Sequence, residues 1–113
     1  MSGARIAVLA QLAVLAGCDV GGDRDAAAKA LIAAQCGACH IVPGVRSAVG
    51  RVGPSLAGIA SRQLIAGRFT NNRPVMVRWL MHPQVMAPDT AMPNMGLDQS
   101  QAKVITNYLD TLN

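Results

Sequence analysis

Cys36-Gly37-Ala38-Cys39-His40 is the stretch whose residue types and spacing can do chemistry. Two thiols three residues apart on the last turn of a helix point to one side of the chain, where both can add to the vinyl groups of one porphyrin. His40 follows at once, so the same turn carries its imidazole under the ring with Nε2 able to reach an iron. Gly37 and Ala38 are small enough to let a macrocycle lie against the backbone. This spacing marks covalent attachment of a c-type haem. A Cys-x-x-Cys pair also serves as a redox dithiol or half a zinc site, but the first needs a strand-helix-strand setting and the second a further Cys or His pair. Neither is present: the remaining cysteine is Cys18, and the remaining histidine, His82, stands alone before Pro83.

The composition agrees with a chain that needs a cofactor in its core. Of 113 residues, 51% are apolar, yet the aromatics are only Phe69, Trp79 and Tyr108. A domain of this size buries barely enough surface to be stable, so a porphyrin supplies missing apolar bulk and the apo-protein is expected to be largely unfolded. The formal charge is +4, with Arg46, Arg51, Arg62, Arg68, Arg73 and Arg78 in mid-chain. No charge run resembles a nucleic-acid arm, and no aromatics are interleaved for base stacking, so nucleic acid is not an expected partner.

The elements that must position the pentapeptide are legible in order. Residues 1–17 read as an export signal, positive at Arg5 and apolar from Ile6 to Ala16 apart from Gln11; the run is too short to span a bilayer. Leu15-Ala16-Gly17-Cys18 looks like a bacterial lipobox, in which Cys18 takes lipid and becomes the first mature residue. The alternative is a buried or disulfide-bonded Cys18, but with Cys36 and Cys39 on haem no partner thiol remains. Residues 18–25 form a glycine- and aspartate-rich tether, and Asp23 or Asp25 can cap the helix expected from Ala26 to about Cys39. Glycines and prolines from Ile41 to Gly58 make a loop whose spacing is not that of a phosphate cradle. Arg62 to Asn72 is loop-like. A helix follows from about Pro74 to His82, and a closing helix runs from Asp98, as N-cap, to about Leu112. Met76, Met81, Met86, Met92 and Met95 all follow Phe69, so residue type alone does not choose a second iron ligand.

With these residues in view, residues 26–113 resemble the class I c-type cytochromes. The resemblance implies an all-α cytochrome c fold of three to five helices wrapped around one covalently bound haem c. The family's Gly-Pro-x-Leu element is Gly53-Pro54-Ser55-Leu56, in which the carbonyl of Pro54 is expected to accept the Nδ1 proton of His40 and Leu56 to pack on the porphyrin. Arg62 follows at the spacing of a propionate-binding arginine. A Trp common near a propionate is missing, its equivalent falling near Asn71, so Asn71 or Asn72 is a candidate for that hydrogen bond. Trp79 takes the place of an internal aromatic, near the axial sulfur or simply in the core. Pro88-Asp89-Thr90-Ala91-Met92 fits the family's Pro-x-Thr-x-Met pattern, which makes Met92 the sixth ligand ahead of Met95 and His82 and gives Thr90 a propionate. The first and last helices are expected to cross, with Ala28 and Ile32 against Ile105, Tyr108 and Leu109.

The function implied is that of an electron carrier rather than an enzyme, since a His/Met pair leaves no open coordination position and raises the reduction potential relative to two imidazoles. The alternatives are the subunit through which electrons enter a larger membrane dehydrogenase or terminal oxidase, and a haem peroxidase or gas sensor with a labile Met92. Redox partners should carry an acidic docking face, because Arg46, Arg51, Arg62 and Arg68 surround the site with few carboxylates nearby in sequence. Lipid on Cys18 would anchor the protein to a membrane of the bacterial cell envelope, on its periplasmic side. In a bacterial host, Cys18→Ser is therefore expected to move the protein out of the membrane fraction. Retention after salt washing would mean that an uncleaved N-terminal segment holds it.

Overall fold

The computed structural model describes Gly3 and residues 23–113, so the expectations at Cys18 and over most of 1–22 lie outside the described residues. Among the described residues four helices are laid down in order: α1 (Ala26–Gln35), α2 (Arg73–Met81), α3 (Pro83–Met86) and α4 (Gln99–Leu109). A single 3-10 turn, Ile59–Ser61, and two short strands, β1 (Leu64–Ile65) and β2 (Phe69–Thr70), lie between α1 and α2.

α1 is driven by alanine-rich composition and stops at Gln35, four residues short of the expected end. Both Cys36 and Gly37 donate to the carbonyl of Ile32, and the chain then turns, with Cys39 and His40 both donating to the carbonyl of Cys36. The attachment pentapeptide thus hangs below the helix as tight turns. At its other end, Asp25 occupies the N-cap position without a side-chain cap. Asp23 instead accepts from the Asp25 amide at 3.0 Å and pairs with Lys29 at 2.7 Å.

α2 begins as the sequence predicts, with Pro74 in its first turn, and Asn72 caps it by accepting from the Val75 amide at 3.0 Å. Pro83 ends that run but starts α3, since proline's missing N–H costs nothing in a first turn. α4 opens with a reciprocal capping box: Asp98 accepts from the Gln101 amide while the Gln101 side chain accepts from the Asp98 amide. Its apolar stripe buries Ala102, Ile105, Tyr108 and Leu109. α1 packs against α4 and α4 against α2, and Ala28, Ile32, Ile105, Tyr108 and Leu109 share one buried core.

The segment read as loop between Arg62 and Asn72 contains an antiparallel hairpin, with Leu64 opposite Thr70 and Ile65 opposite Phe69. Its turn places Ala66 at φ 53° and Gly67 at φ 69°, closed by the Arg68 amide on the Ile65 carbonyl at 3.0 Å. Glycine meets that geometry without steric cost, whereas alanine seldom adopts it, which is why the turn was not legible in advance.

Candidate functional site

The turns after α1, the 52–56 loop, the hairpin, α2 and the segment around Met92 enclose a cavity of about 570 Å³. Cys36, Cys39 and His40 line it together. Burial pushes the Cys36 thiol up to about 11, with Cys39 adding a smaller upward contribution. A redox dithiol needs a thiol that ionises easily, so this environment opposes that reading and suits a sulfur that ends as an uncharged thioether. Among the described residues no group of three or more His, Cys, Asp or Glu is placed to hold a metal ion.

His40 Nδ1 lies 2.6 Å from the carbonyl oxygen of Pro54. A carbonyl can only accept, so the proton of the neutral ring sits on Nδ1 and the lone pair is left on Nε2. That is the tautomer a metal-binding imidazole needs, and the carbonyl fixes its orientation. The loop that supplies Pro54 is laced to the pentapeptide by backbone: Gly50 donates to Gly37 at 3.0 Å, Gly53 to Cys39 at 2.7 Å, and Leu56 to Ile41 at 2.8 Å. Gly53 passes so close to the ring that a Cβ there would lie 2.8 Å from Nδ1 and 3.0 Å from Nε2. Pro54 and Leu56 both line the cavity.

The residues present fit a covalent haem. Two thiols, an imidazole with an open nitrogen and a thioether at Met92 face one space whose other walls include Ile59, Ile65, Trp79 and Leu80. Trp79 is buried and stacks obliquely on Phe69, with ring centroids 5.7 Å apart at 41°. Arg62 lines the cavity and gives one guanidinium nitrogen to the carbonyls of Ser55 and Ala57 at 2.6 and 3.0 Å. Since a guanidinium carries five N–H donors, others remain for an anionic group.

Other expected residues take different places. Asn71 does not line the cavity; its amide donates to the carbonyls of Ile59 and Arg62 at 2.9 and 2.8 Å, tying the hairpin base together. Asn72 caps α2 through its side-chain oxygen and does not line the cavity. Neither fits the propionate contact proposed for it. Of the methionines after Phe69, Met76, Met92 and Met95 line the cavity, whereas His82 and Met81 line a separate groove between α2 and α4. Thr90 lines the cavity, and its hydroxyl accepts from the Met92 amide at 3.2 Å.

Two residues of the Met92 segment's support were not singled out in the sequence. Gln84, on α3, donates from its side-chain amide to the carbonyls of Thr90 and Met92. Asp89 takes a two-pronged pair from Arg68, with N–O distances of 2.8 and 2.5 Å. The sequence places these partners 21 residues apart, so no local pattern announces them. The Arg68 guanidinium holds the Asp89 carboxyl below its ordinary range. The pair therefore persists at neutral pH and is lost as pH falls through that lowered value. Arg68 is consequently paired with a carboxylate rather than a free charge, although no carboxylate lies near it in sequence.

Because Gly53 has no room for a side chain, Gly53→Ala should push the imidazole off the Pro54 carbonyl or shift the loop. Overpacking of this kind costs about 1–3 kcal/mol. The expected result is a lower denaturation midpoint and a lower yield of haem-loaded protein, both read by titration against the visible absorbance.

A cytochrome c family model matches residues 26–113, and no curated protein matches the chain. The match covers the pentapeptide, the loop that orients His40, the hairpin and the Met92 segment, and the family carries one covalently bound haem c with its iron. The mostly helical architecture, with α1 against α4 and the small hairpin beside the cavity, is compatible with that fold. This electron-carrying haem protein belongs to the cytochrome c family, in its class I form.

Proposed function

We propose that the protein carries single electrons between membrane or periplasmic redox partners, with haem attached through Cys36 and Cys39 and iron held by His40 and Met92. The observation that carries this reading is the convergence of those four side chains on one cavity, with the His40 proton committed to Pro54 and Nε2 left to coordinate. When bound, the haem supplies a one-electron iron couple. The chain's own part is to hold both ligands in place, exclude water with apolar walls and offer Arg62 donors to a propionate.

A docking face is supported by the segment from Arg46 to Val52. Arg46 and Arg51 are exposed and form no salt bridge among the described residues. Val49 is 66% exposed and Val52 79%, and Val52 lines the cavity, as does Leu64 at 47% exposure. An apolar centre with a basic rim suits brief encounters with an acidic partner, where steering matters more than tight binding. Lipid on Cys18 would hold the carrier at the periplasmic side of a bacterial membrane, within reach of such partners.

Ligation is tested by Met92→Ala, which should abolish the weak charge-transfer band at the red end of the oxidised spectrum and lower the potential, while His82→Ala leaves both intact. An unchanged spectrum in Met92→Ala would sink the assignment. Docking is tested by salt. The bimolecular rate with an acidic redox partner is expected to fall about tenfold or more as the Debye length shortens from ~30 to ~10 Å. The dependence should be weaker after Arg46→Gln and Arg51→Gln together; a rate indifferent to salt points instead to permanent association within a membrane complex.

A further inference from the structure

The segment that carries Met92 has no helix or strand of its own between α3 and α4, so its shape depends on side-chain hydrogen bonds. Gln84 supplies the central ones. Its amide nitrogen has two N–H groups, and the Thr90 and Met92 carbonyls lie 3.0 and 2.7 Å from it in a part-buried setting. The Gln84 backbone amide in turn donates to Asn94 at 3.3 Å. The segment is therefore stitched to α3 at alternate residues 90, 92 and 94, and one stitch falls on the carbonyl of Met92 itself. Asp89, at the start of the segment, is fixed separately by Arg68 on the hairpin. That second hold is exposed to water and correspondingly weak, since solvent screens such a pair.

We propose that Gln84 is a positioning residue for the Met92 thioether: its side-chain amide holds the ligand segment closed against the cavity and slows departure of the sulfur from the iron. The inference rests on Met92 being the ligand. A neutral amide suits the task because both contacts are carbonyl oxygens, which need donors. A carboxylate of the same length would set oxygen against oxygen, and an aliphatic side chain would leave two half-buried carbonyls without partners. Either change should favour an open segment.

The test uses the oxidised haem-loaded protein with imidazole as the displacing probe, which enters only after the thioether leaves. At saturating imidazole the observed rate approaches the rate of Met92 departure. Gln84→Leu and Gln84→Glu should each raise that limit about tenfold, the expected yield of two lost hydrogen bonds, and weaken the charge-transfer band. Tyr108→Phe removes the hydroxyl bond to the Pro43 carbonyl, on the His40 side of the chain, and should leave the limit unchanged. If both Gln84 variants keep the original limit and band, or if Tyr108→Phe accelerates departure equally, the positioning role is overturned. Persistence of the band in Met92→Ala would instead remove the ligand assignment, and this inference with it.

Discussion

The hydrogen bond between His40 Nδ1 and the Pro54 carbonyl is the constraint on which the rest of the site depends. An imidazole free to rotate, or protonated on the wrong nitrogen, would present no lone pair to the cavity. Keeping the carbonyl in place requires the 41–56 loop to follow the pentapeptide closely, and backbone bonds from Gly50, Gly53 and Leu56 enforce that path. Gly53 lacks a side chain because the ring occupies the space where one would go. Gly53 is thus a consequence of how near the backbone must come to His40, and Gly50 of its close approach to the Ala38–Cys39 backbone.

The segments carrying His40 and Met92 are held by different means. On the His40 side, main-chain bonds between the pentapeptide and the 50–56 loop set the geometry. On the Met92 side, side chains do so: Gln84 from α3, Arg68 from the hairpin through Asp89, and Thr90 from within the segment itself. Side-chain bonds between distant elements form only when those elements are already packed. The Met92 segment is therefore expected to be the less stable wall, the one that opens first under local fluctuation.

The thin core has the same logic. Three aromatics among 113 residues leave the interior to small aliphatics. Trp79 and Phe69, the one close aromatic pair among the described residues, sit where α2 meets the hairpin. Two large apolar side chains, Val52 and Leu64, stay exposed yet line the cavity. Apolar surface left in that position is what a porphyrin covers. Folding and cofactor attachment are accordingly expected to be coupled in this chain.

Local chemistry determined what the sequence could reveal. The attachment pentapeptide and the Asp98 cap are each written within a few consecutive residues, and their geometry follows from spacing; the Gly-Pro-x-Leu turn and the Met92 pattern were legible through the resemblance to class I c-type cytochromes. The α1–α4 packing was legible too, because an apolar stripe at helical period declares which face is buried. Tertiary structure decided the rest. The hairpin depends on Ala66 taking a left-handed conformation that alanine does not advertise. Asn71 was a candidate for a propionate hydrogen bond by resemblance, and the carbonyls of Ile59 and Arg62 made it a strut. Arg68 meets Asp89 from 21 residues away, and Gln84 meets Met92 through a backbone carbonyl, a partner every residue possesses and no sequence pattern can single out. Such contacts become specific only when folding brings the elements together.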